Sequence, residues 1–288
     1  MKLHKWCTSF DSKDTELGDF SFDRNSNAAV KTLGTLWNNK RDTFLYKVAV
    51  TEKSGVAKRD VLSQIARLYD PLGLLGPVIS KAKTFMQRLW LHKLYWNEKL
   101  PSPIAQEWTL FIKALHSIET IQVPSCVLKE TFSALILHSF ADASEKAFGA
   151  VIYLQTVADP DESFREILCS KPRVAPIKTM TIPVLELSAS LLLSKLVKKV
   201  LEAMKLKFDH IKLWSDSTIA LAWINTSPHL LKTFVSNRVS QIRQLTSNCN
   251  WGHVYSEMNP ADIISRGSDA TTLGSLEVSR CNFISSNH

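Results

Sequence analysis

No stretch of the 288 residues approaches the run of about 20 apolar residues that a membrane-spanning helix needs. The opening "MKLHKWCTSFDSKD" is charged but carries no apolar segment of about 7 to 15 residues, so it is not a secretory signal. An intracellular location, cytoplasmic or nuclear, is therefore expected. The five cysteines, Cys7, Cys126, Cys169, Cys249 and Cys281, are scattered and form no CxxC pair. That excludes the usual zinc-binding and disulfide frameworks. Internal repeats and low-complexity segments are also missing. With 45% hydrophobic and 22% charged residues, the chain has the composition of an ordinary globular protein of one or two domains.

The balance of charge is uneven. The net charge is +8, from 35 lysines and arginines against 27 acids. Most of the excess lies before residue 130. Such a distribution suits a polyanion such as nucleic acid and does not by itself require one.

Two rhythms divide the chain. Residues 1 to about 27 are polar without a period and read as an extended lead-in. "VKTLGTLWNNKRDTFLYKVAV" has two apolar runs around "NNKRD" and reads as a hairpin. Three helices follow. In the first, Leu62, Ile65, Ala66 and Leu68 have helical spacing, and Asp70-Pro71 ends it. The second carries Phe85, Leu89 and Trp90 on one side. The third starts at Ser102 with Pro103 as its first helical residue. This part holds no catalytic constellation.

From about residue 129 the order becomes βββ-α-β-α-α-β-α, which predicts a mixed α/β sheet of five strands covered by helices. Asp142 ends the first of these strands. The third strand is "REILCS", followed by the loop "KPRVAPIKTMTIP" with Lys171, Arg173 and Lys178. Pro183 opens a long helix with Glu186 in its first turn. Asp216 ends the fourth strand, and Asp262 lies in the first turn of the last helix. Trp214 and Trp223 read as core, and the lysines of "SKLVKKV" as a solvated face.

Each acid taken alone has a structural explanation. Asp142 suits a hairpin turn. Glu186 and Asp262 suit helix N-termini. Asp216 or Ser217 could cap the next helix. Together they have another use if the first and fourth strands are neighbours. Clustered carboxylates repel and would take up protons, unless a divalent cation dominates the site. Oxygen ligands select Mg²⁺ or Mn²⁺. Two such ions about 4 Å apart can drive phosphodiester cleavage.

The wording of the second part, "FADASEKAFGAVIY", "SKPRVAPIKTMTIPVLELSAS", "LWSDSTIALAWI", "FVSNRVSQI" and "NPADIISRG", resembles the ribonuclease H region of BEL/Pao-type retrotransposon polyproteins. "LHKWCTS", "LGTLWN", "KRDVLSQIARLYDPLGLLGPV" and "WNEKLP" resemble the segment joining reverse transcriptase to that region. The resemblance implies a thumb- or connection-like part over 1–128, an RNase H-like domain over 129–268 and a divergent tail over 269–288. It implies hydrolysis of the RNA strand of an RNA–DNA hybrid with two Mg²⁺ ions, Mn²⁺ being an alternative. The family's acidic positions fall on Asp142, Glu186, Asp216 and Asp262. The first three would hold metal, and Asp262 would complete the second metal site or aid product release. Lys171, Arg173 and Lys178 would contact phosphates. One departure is Val184, where the family usually has arginine.

No YxDD-type aspartate pair or integrase-like segment is present, so the expectation is a piece of a transposon polyprotein without polymerase activity. A catalytically idle remnant that only binds nucleic acid is the alternative. An aspartic peptidase is disfavoured: it needs D-[ST]-G, and the nearest match, at Asp216, has Thr218 in place of the glycine.

Overall fold

The computed structural model describes residues 30–32, 35–50, 55–129, 131–159 and 162–275. The lead-in over 1 to 27 and the last part of the tail lie outside the described residues. Strands β1 (Val30–Thr32), β2 (Thr35–Asn38) and β3 (Thr43–Leu45) form an antiparallel meander, with the expected hairpin between β2 and β3. Helices α1 (Lys58–Ala66), α2 (Gly76–Leu91) and α3 (Ser102–Leu115) follow. The chain then returns to β3 through β4 (Gln122–Pro124), a fourth strand too short to leave a periodic signal.

The second sheet has the order β7-β6-β5-β8-β9. It is built from β5 (Ala134–Ala143), β6 (Ala147–Asp159), β7 (Glu162–Val174), β8 (His210–Ser215) and β9 (Asn250–His253). β5, β6 and β7 pair antiparallel, while β8 joins β5, and β9 joins β8, in parallel. Helix α4 (Ile182–Met204) crosses from β7 to β8, and α5 (Thr218–Asn225) and α6 (Thr233–Leu245) cross from β8 to β9. Two short helices, α7 (Asp262–Arg266) and α8 (Ala270–Ser275), close the described chain. This is the mixed five-stranded α/β sheet read from the sequence.

Alternation along β5 separates two layers. Leu135, Leu137 and Ala141 pack with Ala150, Ile152 and Leu154 of β6 against Ala189, Leu193 and Val197 of α4. On the opposite face Phe140, Val151, Tyr153 and Ile167 join Val78, Ala82, Phe85 and Leu89 of α2 and Ile264 of α7. Trp108 of α3 completes that layer. Its ring stacks between Phe85 and Phe111 at 4.8 and 5.0 Å, and its Nε1–H donates to Gln64 Oε1. One apolar core therefore runs from the helical part into the sheet.

The fit between the two parts is set by glycines. Gly73 has φ +75°, and a Cβ there would lie 1.9 Å from the Ser170 carbonyl oxygen. A Cβ on Gly76 would meet Ser170 Oγ at 2.4 Å. Ser170 N–H donates to the Leu72 carbonyl at 2.8 Å, and its hydroxyl donates to that of Gly73. Asp70 lies beneath this turn and accepts the N–H groups of Leu74 and Leu75 at 2.9 Å each. Gln87 and Lys81 add contacts to the Ala175 carbonyl and to Asp269.

Several local expectations are corrected. Helix α1 buries Lys58, Val61 and Gln64, so Leu62 and Ala66 face solvent while Ile65 and Leu68 remain at the core. Trp90 of α2 is exposed. In α3, Ser102 is the first helical residue and Pro103 the second. β6 and β7 extend through most of "TVADPDESF", because the two strands go on pairing with each other as far as Asp159 and Glu162. Lys171 and Arg173 consequently stand in β7, paired with Ala150 and Phe148, and not in a loop.

Gly73→Ala should lower stability by about 3 kcal/mol or more, because left-handed strain adds to a backbone collision. Gly55→Ala, with φ +73° but only the flexible Lys99 side chain nearby at 3.3 Å, should cost about 1 kcal/mol. Urea unfolding midpoints measure the contrast, and equal losses would contradict this account of the joint.

Candidate active site

The parallel pairing of β5 with β8 aligns Ala141 with Ser215, so Asp142 and Asp216 leave the same edge of the sheet side by side. Glu186 reaches that edge from α4. The helix begins at Ile182, one residue before Pro183, so Glu186 is its fifth residue and stands beyond the first turn. The helix dipole thus explains its position less well than expected. Asp216 does not cap α5 either. Ser217 does so, accepting the Ala220 N–H, and leaves the Asp216 carboxylate free to point elsewhere.

One carboxylate oxygen from each of Asp142, Glu186 and Asp216 lies within 4.8 Å of the other two. Asp142 is 4% and Glu186 5% exposed. Glu186 and Asp216 are each held through one oxygen only, whereas both oxygens of Asp142 accept a hydrogen bond. Asp142 accepts from the Ser265 hydroxyl and, at 3.5 Å, from Asn259 Nδ2, which also donates to the Ala141 carbonyl at 3.0 Å. Glu186 Oε1 accepts the Ala143 N–H at 3.1 Å, and Asp216 Oδ2 accepts from Ser256 Oγ at 2.6 Å. Glu186 Oε2 and Asp216 Oδ1 are buried with no hydrogen-bond partner. Two orphaned carboxyl oxygens beside a third carboxyl group fit a divalent cation, whose charge and vacant coordination positions both require such donors.

The electrostatics follow from this geometry. Burial raises the pKa of Asp142 to about 6, with Asp216 and Asp262 adding to the rise and Ser265 and Arg266 opposing it. Burial raises that of Glu186 to about 9, reinforced by Asp142 and Asp216 and opposed by the Ala143 N–H.

Asp262 is the first residue of α7 and stands apart from the three-carboxylate group. It forms an ion pair with Arg266 Nε at 2.7 Å. It nevertheless lines the same cleft, as do Ser144, Lys146, Ile182, Ser256 and Arg266. Helix α7 is seated against the sheet by Ile264, since a Cβ on Gly149 would lie 2.3 Å from its Cγ2. Lys171, Arg173 and Lys178 are exposed and do not line the cleft. Lys171 and Arg173 instead share their surroundings with Lys83 of α2. That lysine's pKa is lowered by burial first and then by those two charges.

Several residues at the site went unread in the sequence. Ser265 and Arg266 sit in "NPADIISRG" at helical spacing from Asp262, a signal that was available. Lys146 lies in the hairpin turn after Asp142. His253 ends β9 beside Ser215, one residue from Asp216, with its ring edge-on to Tyr255 at 5.7 Å. Only the parallel β8–β9 register brings it to the acidic edge.

Above the ordinary carboxylate range, and up to about pH 6 for Asp142 and about pH 9 for Glu186, the folded apoprotein holds a proton that the unfolded chain has lost. The contribution of these two groups to stability is complete below the ordinary carboxylate range and is lost as pH rises through about 6 and then about 9. In EDTA the melting temperature should therefore fall between pH 5 and pH 9. Glu186→Gln should flatten that fall, and Mg²⁺ should raise the melting temperature more at pH 8 than at pH 5. A pH-independent effect of Mg²⁺ would contradict this description.

No curated protein matches the chain. Solved structures with a similar fold include RNase H1 of the archaeon Halobacterium salinarum, at 16% identity, 44% of this chain, 90% of that one and a TM-score of 0.28. The N-terminal RNase H domain of a Mycobacterium tuberculosis protein gives 17%, 49%, 96% and 0.33. A foamy viral protease–reverse transcriptase solved with double-stranded DNA gives 14%, 81%, 38% and 0.44. The family model described as the Pao retrotransposon-like RNaseH-like domain matches residues 57–217. That span takes in α1 to β8 and three of the four acids, and it is more than half of the sequence: the chain belongs to the Pao retrotransposon RNase H-like family.

Proposed function

We propose that the protein is an RNase H-type endoribonuclease that hydrolyses the RNA strand of an RNA–DNA hybrid with Mg²⁺, or Mn²⁺ in its place. The observation that carries this reading is the group of three carboxylates within 4.8 Å, two of which present buried oxygens without a partner. Family membership and the net charge of +8 support it. In this reading residues 129 to 268 form the RNase H-like part, preceded by a connection-like part up to 128 and followed by a tail from 269.

Asp142, Glu186 and Asp216 are the metal ligands. Two bound ions would supply the Lewis-acid charge that activates water and stabilises a leaving oxygen. The chain's own residues prepare for that charge. Ser265 and Asn259 fix Asp142, the Ala143 N–H fixes Glu186 and Ser256 fixes Asp216, so the donor oxygens need no rearrangement. Asp262 stands at the rim, where it completes a second ion's shell or eases product departure. Lys146 and Arg266, on the same rim, offer positive charge to the scissile phosphate. Lys171, Arg173 and Lys178, with Lys83, form an outlying set of phosphate contacts, which position the hybrid without reading its sequence.

A labelled RNA–DNA hybrid incubated with Mg²⁺ should be cut in the RNA strand. Asp142→Asn should reduce the rate by more than about 100-fold. Ser265→Ala, which removes only a group holding a ligand, should reduce it by about 10- to 100-fold. Absence of metal-dependent cleavage, or equal rates for parent and Asp142→Asn, would refute the proposal.

A further inference from the structure

The end of α2 and the turn after it carry an unusual surface. Tyr95 is 83%, Trp90 54% and Trp96 41% exposed, although large aromatic rings normally seek cover. The rings of Trp90 and Trp96 lie 6.5 Å apart at 38°. Beneath them the buried Lys58 places its Nζ 3.5 Å from the Trp90 ring centroid and donates to the Leu94 carbonyl at 3.4 Å. Lys93 and Lys99 flank the rings, both exposed. Glu98 is the one acid between residues 90 and 99, and it is engaged in accepting the Tyr95 N–H at 2.8 Å.

The position of this surface follows from the docking of α2. The helix starts against Ser170, midway along β7, and by Gln87 it has reached the Ala175 carbonyl just past that strand's end. Ala175 in turn donates its N–H to the carbonyl of Lys146, which lines the acidic cleft. Arg88 holds Glu107 through two hydrogen bonds of 2.7 and 2.8 Å, and the charge of Lys146 also acts on Glu107. The exposed rings begin two residues after Arg88, at the C-terminal end of α2 and in the turn that follows it.

We propose that Trp90, Tyr95 and Trp96, with the exposed Lys93 and Lys99 beside them and Lys58 supporting the Trp90 ring from below, form a binding platform for single-stranded nucleic acid. Aromatic rings that stack on bases of any kind, set among cations that track phosphates, are what such a strand requires. A protein partner fits less well, because protein interfaces are depleted in lysine around their aromatic anchors. The strand seated here is an unpaired polynucleotide. The platform rests on its own geometry and does not depend on the nuclease reading.

Binding of a fluorescein-labelled oligo(dT) strand, followed by anisotropy in an Asp142→Asn background, tests the proposal without any cleavage. Trp90→Ala with Tyr95→Ala should weaken binding by about ten-fold or more while leaving the salt dependence unchanged. Lys93→Glu with Lys99→Glu should weaken binding and reduce the slope of log affinity against log salt by about 1 for each lysine in contact. Tyr95→Ala alone, at a side chain almost entirely in solvent, should weaken binding in the same direction and cannot act through unfolding. Parental affinity in all three variants would overturn the proposal. Loss of hybrid cleavage in the parent with retained oligo(dT) binding would refute the nuclease reading and leave the platform standing.

Discussion

Repulsion among three carboxylates is the constraint on which the rest of the structure depends. Asp142, Glu186 and Asp216 converge from a strand, a helix and a strand end, and only a packed protein can hold like charges this close. The sheet order provides the convergence, since β8 inserted beside β5 sets two acids on one edge and α4 passes over it with the third. Glu186 and Asp216 are each restrained by a donor on one oxygen and left bare on the other, while Asp142 is held through both. That arrangement is unfavourable for a protein alone and favourable for one that takes up a cation. Protons fill part of the same need in the apoprotein, which is why Asp142 and Glu186 hold theirs so far above the ordinary range.

The second constraint is that the face of the sheet opposite α4 also needs cover. Helices α2 and α7 supply it, and both are keyed into place by contacts that tolerate no added atom. Gly73 and Gly76 admit Ser170, and Gly149 admits Ile264. Ile264 and Ser265 are neighbours, so the contact that seats α7 also delivers the hydroxyl that holds Asp142. Packing of the core and alignment of the site are thus one event in this region. The family match, which begins at Ala57 and not at the first strand of the large sheet, includes α2 and ends before α7.

Much of this was legible in the sequence, and the reasons differ from residue to residue. The order of strands and helices after residue 129 was readable because apolar runs of β and helical period alternate cleanly there. The four acids stood out because each falls at an element's end. What the sequence could not display was the difference among them. Three are gathered, while Asp262 is drawn off by Arg266 one helical turn away. The lengths of β6 and β7 were missed because Thr156, Asp159, Glu162 and Ser163 have the composition of a loop. They belong to the strands because β6 and β7 keep their mutual pairing through them. Leu62 and Trp90 were read as core from spacing alone. The helix faces are rotated by the demands of Lys58, Val61 and Gln64, with Gln64 buried to receive the indole of Trp108. β1 and β4, of three residues each, are stabilised by pairing and not by any pattern of their own.

The contact between Ser170 and Leu72 has a further meaning. β7 forms one edge of the large sheet, and an open edge is a template on which other chains can add strands. Here the Ser170 N–H is already occupied by the Leu72 carbonyl, and the turn at Gly73 lies across the strand at its midpoint. The helical part therefore shields the sheet from self-association as well as covering its core. A domain trimmed back to the strands and α4 would keep its acids but would bare both an apolar face and an unpaired edge. Its characteristic failure would be aggregation, a colloidal fault and not a chemical one.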